Sequence, residues 1–124
     1  MPVSSEFLEH VVEVLEEFGP VEARRMFGGA GIFRDNLMFI LIVDETLYFK
    51  ADENNAADFD AEGLEPFIYD TKKGPRTING LRLAPEICLE DPSEMARWAQ
   101  GAFDAALKAD ARKPAKDRKR VPGA

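Results

Sequence analysis

Apolar residues recur at helical spacing from the start of the chain. Phe7, Leu8, Val11, Val12, Leu15 and Phe18 line one side of a helix predicted over Ser5 to Phe18, with Glu6, Glu9, His10, Glu13, Glu16 and Glu17 on the other. Ser4 or Ser5 can cap its start, and Gly19-Pro20 supplies a left-handed position and then a residue that cannot continue it. The period then becomes that of strands. Ala23 to Phe27 leads through Gly28-Gly29-Ala30-Gly31 into Ile32-Phe33-Arg34. A turn at Asp35-Asn36 opens the run Leu37 to Val43, and a second at Asp44-Glu45 returns the chain through Thr46 to Ala51. Turns this short force antiparallel neighbours.

The run Leu37-Met38-Phe39-Ile40-Leu41-Ile42-Val43 does not alternate, as a strand with one wet face should. It predicts a central strand covered on both faces, one by a helix layer and the other by a second helix or another subunit.

A short helix is predicted from Asn54 or Asn55 to Glu62, ended by Gly63 with Leu64 folding back on Phe59. Pro66 to Asp70 reads as a strand entered through an edge-compatible proline. Lys72-Lys73-Gly74-Pro75 reads as a turn, and Arg76 to Ala84 as a weaker last strand interrupted at Asn79-Gly80. The final helix opens with Asp91 as cap, Pro92 in the first position and Glu94 three residues after the cap. Met95, Trp98, Ala99, Ala102, Phe103, Ala106 and Leu107 form its apolar face. Together these elements predict an α+β domain over residues 1–110. Its core would be a five-stranded antiparallel meander flanked by N- and C-terminal helices, with a short helix between the third and fourth strands.

Charge divides the chain. Six cations, Arg112, Lys113, Lys116, Arg118, Lys119 and Arg120, stand against Asp117 alone in a basic tail over residues 111–124, so the body is more acidic than the whole-chain charge of −7. Such a body repels nucleic acid and acidic membranes, and any nucleic-acid attraction is expected through the tail. No apolar run approaches the roughly 18 to 20 residues that span a bilayer, and Met-Pro-Val-Ser-Ser-Glu is no signal peptide. A cytoplasmic protein away from membranes is expected. In 124 residues Cys88 is the only cysteine and His10 the only histidine, which excludes an internal disulfide and clustered Cys or His metal sites.

Each motif with a claim to chemistry fails at a named place. The glycine loop is followed by a strand and not a helix, and Ile32-Phe33-Arg34 is not the Gly-Lys-Ser/Thr end of a phosphate-binding loop. Its glycines read as a bend or bulge between strands. Asp52-Glu53-Asn54-Asn55 opens like a calcium loop, but Ala56, Ala57 and Gly63 fall where ligand, glycine and glutamate are required. Ser4, Ser5 and Ser93 all sit at helix starts, and Trp98 and the phenylalanines read as packing, not as platforms for bases. No catalytic, cofactor or metal residues are predicted. Arg24 and Arg25 stand beside the glycine loop and, in a strand, point to opposite faces. With Gly28, Gly29, Gly31 and Lys50 they are the candidate interaction positions.

Arg25-Met26-Phe27-Gly28-Gly29-Ala30-Gly31-Ile32-Phe33, followed by Leu47-Tyr48-Phe49-Lys50-Ala51-Asp52, resembles the signature of the TfoX N-terminal domain family. Asn54, Phe59, Gly63, Pro66-Phe67, Tyr69, Ala84-Pro85, Glu90-Asp91-Pro92 and Trp98-Ala99 continue the resemblance in order. It implies a compact α+β domain with its antiparallel sheet between helices, in a bacterial cytoplasmic protein. It also implies a role in transcriptional activation of DNA-uptake genes, with no established catalytic residues. The expected function is a non-enzymatic regulatory or protein-interaction domain, possible as a homodimer. The alternatives are nucleic-acid association through the basic tail and a small-molecule pocket near Gly28, Gly29, Arg25 and Lys50.

Overall fold

The computed structural model describes residues 3–117. Helix α1 (Ser5–Val14) is followed by strands β1 (Glu22–Met26), β2 (Gly29–Arg34), β3 (Leu37–Val43) and β4 (Thr46–Lys50). Then come α2 (Ala56–Ala61), β5 (Pro66–Thr71), β6 (Gly74–Leu83), a 3-10 turn at Glu86–Leu89 and the long helix α3 (Pro92–Ala111). All strands join one antiparallel sheet in the order β1-β2-β3-β4-β6-β5.

The sheet has six strands, not the five expected, because the glycine segment is not a loop. The chain turns at Phe27 and Gly28, both at positive φ (48° and 78°), and Met26 pairs directly with Gly29. Two consecutive left-handed residues make the tight hairpin whose twist matches its strands. Asp35-Asn36 and Asp44-Glu45 repeat the device, each with both residues at positive φ. Gly29 and Gly31 therefore lie inside β2.

The helices also differ from expectation. Helix α1 stops at Val14, and the chain beyond it tightens so that the Phe18 ring reaches Phe39 (5.2 Å between centroids) and Phe103 (6.1 Å). Helix α2 starts at Ala56 with Asn55 in the cap position, but the Asn55 side chain is used elsewhere: its oxygen accepts from the Asp52 N–H (2.8 Å) and its nitrogen donates to the Lys50 carbonyl (3.1 Å). Gly63 at φ 67° ends α2, and the Leu64 N–H returns to the Phe59 carbonyl as the glycine predicts. Helix α3 begins where expected. The Asp91 carboxylate accepts from the Ser93 and Glu94 N–H groups at 2.9 and 3.3 Å, while its far end runs on to Ala111.

The long helices share one face of the sheet and do not sandwich it. Ala30, Ile32, Leu37, Phe39, Ile40, Ile42, Leu47 and Phe49 are buried there against Val11, Val14 and Leu15 of α1, Phe59 of α2 and the apolar side of α3. The non-alternating β3 run has a local cause. Between Ile32 and Phe33 the β2–β3 register shifts, with Ile32 opposite Ile40 but Phe33 opposite Met38. The extra residue lets the neighbours Phe39 and Ile40 both face the helices. Met38, Leu41 and Val43 turn the other way and are only half-buried. The second helix expected as one of the two possible covers for that face is therefore absent among the described residues.

Candidate functional site

Strand alternation and register define what the open face presents. One row crosses the sheet as Arg24, Gly31, Leu41, Tyr48 and Leu83, each opposite the next. Beside it run Glu22, Phe33 and Met38, and on the other flank Met26 and Val43. The face has two unlike halves.

Over β1 to β3 it is apolar and deformable. Met26, Phe33, Met38, Leu41 and Val43 are half-buried. Met26, Phe33 and Met38 converge over Gly31, where a Cβ would meet Met38 Sδ at 2.7 Å, the Phe33 ring at 2.9 Å and the Met26 methyl at 3.1 Å. Arg24 closes this half by lying 4.2 Å from the Phe33 ring centre while donating to Glu22 at 3.0 Å and Asn36 at 3.1 Å. That hydrogen bond and charge hold the Glu22 carboxyl below its usual range and raise Arg24, so the pair is locally neutral.

Over β4, β6 and β5 the face is aromatic and cationic. Tyr48 meets Phe67 with ring centres 4.8 Å apart, and Phe67 stacks on Tyr69 at 5.8 Å with planes within 16°. Arg76 pairs across from Tyr69 and so shares its side. The hairpin tip adds Lys72 and Lys73. It is braced by the Thr71 hydroxyl, which donates to the Gly74 carbonyl (2.6 Å) and accepts from the Lys73 N–H (3.2 Å). Tyr69, Lys72, Lys73 and Arg76 line one open pocket.

The predicted positions do not form a single site. Arg24 and Gly31 belong to the apolar half. Arg25 turns to the helix side, as alternation required, and there donates to the Val3 carbonyl (2.6 Å) and the Ser5 hydroxyl (3.1 Å), clasping the chain ahead of α1. Gly28 completes the hairpin tip, and Gly29 sits where an added Cβ would meet the Ile42 carbonyl of β3. Lys50 ends β4 half-buried, its ammonium pushed down first by burial and then by Lys113. In the tail, Arg112 donates to Glu53 at 2.8 Å, while Lys113 and Lys116 lie on exposed chain. Arg118, Lys119 and Arg120 fall outside the described residues. The reading of all phenylalanines as core is corrected for Phe33 and Phe67, which lie on the open face, and for Phe27, fully exposed at its hairpin tip.

Tyr48, Phe67, Tyr69, Lys72, Lys73 and Arg76 were missed from sequence as site residues. A signal existed in Phe67-x-Tyr69, two rings on one side of a strand, leading into a cationic turn. Among the described residues no group of three or more His, Cys, Asp or Glu side chains could hold a metal ion. No described helix is long and apolar enough to cross a membrane. Cys88 is fully buried and its thiol is pushed up to about 12, chiefly by burial.

These features define an α+β domain with its helices on one side of an antiparallel sheet and an open, chemically divided face on the other. The chain belongs to the TfoX N-terminal domain family, whose model matches residues 13–106 and so includes every strand. A relative, the DNA transformation protein TfoX1 of Aliivibrio fischeri, is 28% identical over 96 residues, covering 77% of this chain and 46% of that protein. The chain thus spans less than half the length of that relative.

Proposed function

We propose that this chain is a non-enzymatic regulatory domain that acts by binding another protein, in the same line of work as the DNA transformation protein it resembles. The observation that carries this reading is the apolar half of the open face. Met26, Phe33, Met38, Leu41 and Val43 adjoin one another, half in water, without a described helix over them. Contiguous exposed apolar surface of this kind marks interaction sites, and methionine-rich surfaces adapt to partners. Among the described residues no cluster of metal-ligating side chains competes with this reading.

Leu41→Asp tests it, because it places a charge at the centre of the half without touching the buried face. Capture from the native host with wild-type and variant chains should retain a regulatory protein on the wild type only. Transcript profiles of the Leu41→Asp strain should match those of the deletion strain. Identical capture by both chains would remove the face from the argument, and a deletion without transcriptional effect would remove the regulatory role. Light scattering over a wide concentration range separates a second copy of this chain from a different protein as the occupant.

A further inference from the structure

The other half of the open face has a different chemistry and needs a different partner. Tyr48, Phe67 and Tyr69 form a continuous line of rings from the middle of the sheet to its edge, and Tyr69 is 38% exposed at the end of it. Around that end stand Lys72, Lys73 and Arg76, all exposed and with no carboxylate partner among the described residues. The one acid within the ribbon, Asp70, adjoins Tyr69 in the strand and so points to the opposite side. Helix α1 carries Glu6, Glu9 and Glu13 and packs on the helix side of the sheet.

The ribbon also stands apart. Strand β6 pairs with β4 only through Leu81–Leu83 and with β5 chiefly through Gly74–Ile78, and the register breaks between Pro66 and Phe67. Ile68, on the reverse side, is 52% exposed. The tip is nonetheless held in one shape by Thr71, so its cations are presented and not merely tethered.

We propose that this half binds single-stranded nucleic acid, with bases stacking on Tyr69 and Phe67 and phosphates meeting Lys72, Lys73 and Arg76. Stacked rings beside cations on a sheet face are the two ingredients that hold unpaired strands. A duplex keeps its bases stacked on each other and would leave the rings unused. An acidic peptide would use the cations but would leave the rings unused except where it carries aromatic side chains, whereas every base of an unpaired strand offers a flat face. The proposal is independent of the protein-partner reading, which rests on the other half.

The test is fluorescence anisotropy of the full chain with a labelled oligothymidylate of about twelve nucleotides, with a duplex of the same length alongside. Three phosphate contacts predict that log K falls with log salt at a slope of about −2. Lys72→Ala/Lys73→Ala should flatten the slope to about −0.7. Tyr69→Ala should weaken binding roughly tenfold or more while Tyr69→Phe retains it, because stacking needs the ring and not the hydroxyl. All these side chains are exposed, and unchanged circular dichroism confirms the fold of each variant. The proposal is overturned by an absence of salt-dependent binding. It is equally overturned if affinity survives Lys72→Ala/Lys73→Ala and is carried by the tail, or if the duplex binds better and Tyr69→Ala changes nothing.

Discussion

A Cβ on Gly29 would run into the carbonyl oxygen of Ile42, backbone against backbone. Neither strand can retreat without breaking the ladder between β2 and β3, so Gly29→Ala should destabilise the domain by about 2 kcal/mol or more. Two residues on, the same substitution at Gly31 meets only the ends of Met38, Phe33 and Met26, which can swing aside. Gly31→Ala should therefore cost less than about 1 kcal/mol while reshaping the apolar half of the open face. Urea denaturation of the two variants checks the contrast, and equal losses would contradict it.

Phe27 occupies a left-handed position that favours Asn, Asp or Gly, and its ring contacts nothing that would repay it. Phe27→Asn should stabilise the chain by about 0.5 to 1 kcal/mol, a gain of several degrees in melting temperature for a domain of this size. A calorimetric scan showing a lower midpoint would mean that the ring has a structural role not visible in its contacts.

Arg82 is 14% exposed and ties the end of α2 to β6. It donates to the Leu64 carbonyl through Nε (2.9 Å) and Nη2 (2.6 Å) and pairs with Asp60 at 2.5 Å. Arg82→Ala leaves the Leu64 carbonyl short of donors and should cost about 1 to 3 kcal/mol. Arg82→Lys should recover only part, since an ammonium cannot reproduce the planar fork. Chemical denaturation of both variants measures the difference.

The Cys88 thiol is pushed up to about 12 and is fully buried, so thiolate is scarce at neutral pH. Because thiolate is the reacting form, a disulfide reagent at about pH 8 should label Cys88 only as fast as the chain opens. Labelling of the unfolded chain in denaturant should be complete in seconds to minutes. Rapid labelling of the folded protein would contradict the burial.

Much of this fold was legible because local chemistry and tertiary demand agreed. The Asp91-Pro92 start of α3, the Gly63 stop of α2 and the turns at Asp35-Asn36 and Asp44-Glu45 all depend on groups adjacent in sequence. The missing sixth strand has the opposite cause. Phe27-Gly28 is a hairpin turn with the wrong first residue, and the glycines after it answer to Ile42 and Met38, which lie far along the chain. The bulge at Phe39 hid the second face in the same way: an apolar run reads as doubly buried unless its pairing register is known. Arg24 and Arg25 were separable by alternation alone. The line of rings from Tyr48 to Tyr69 was not, because it depends on a strand order in which β6 intervenes between β4 and β5.

That intervening strand has one more effect. Since β6 gives its last residues to β4 and its first to β5, with Asn79-Gly80 as the joint, the outer ribbon behaves as a graft on the sheet and not as part of its frame. Its reach and charge could be rewritten at Lys72-Lys73 without the core registering the change. Selection could thus tune what the ribbon touches separately from whether the domain folds.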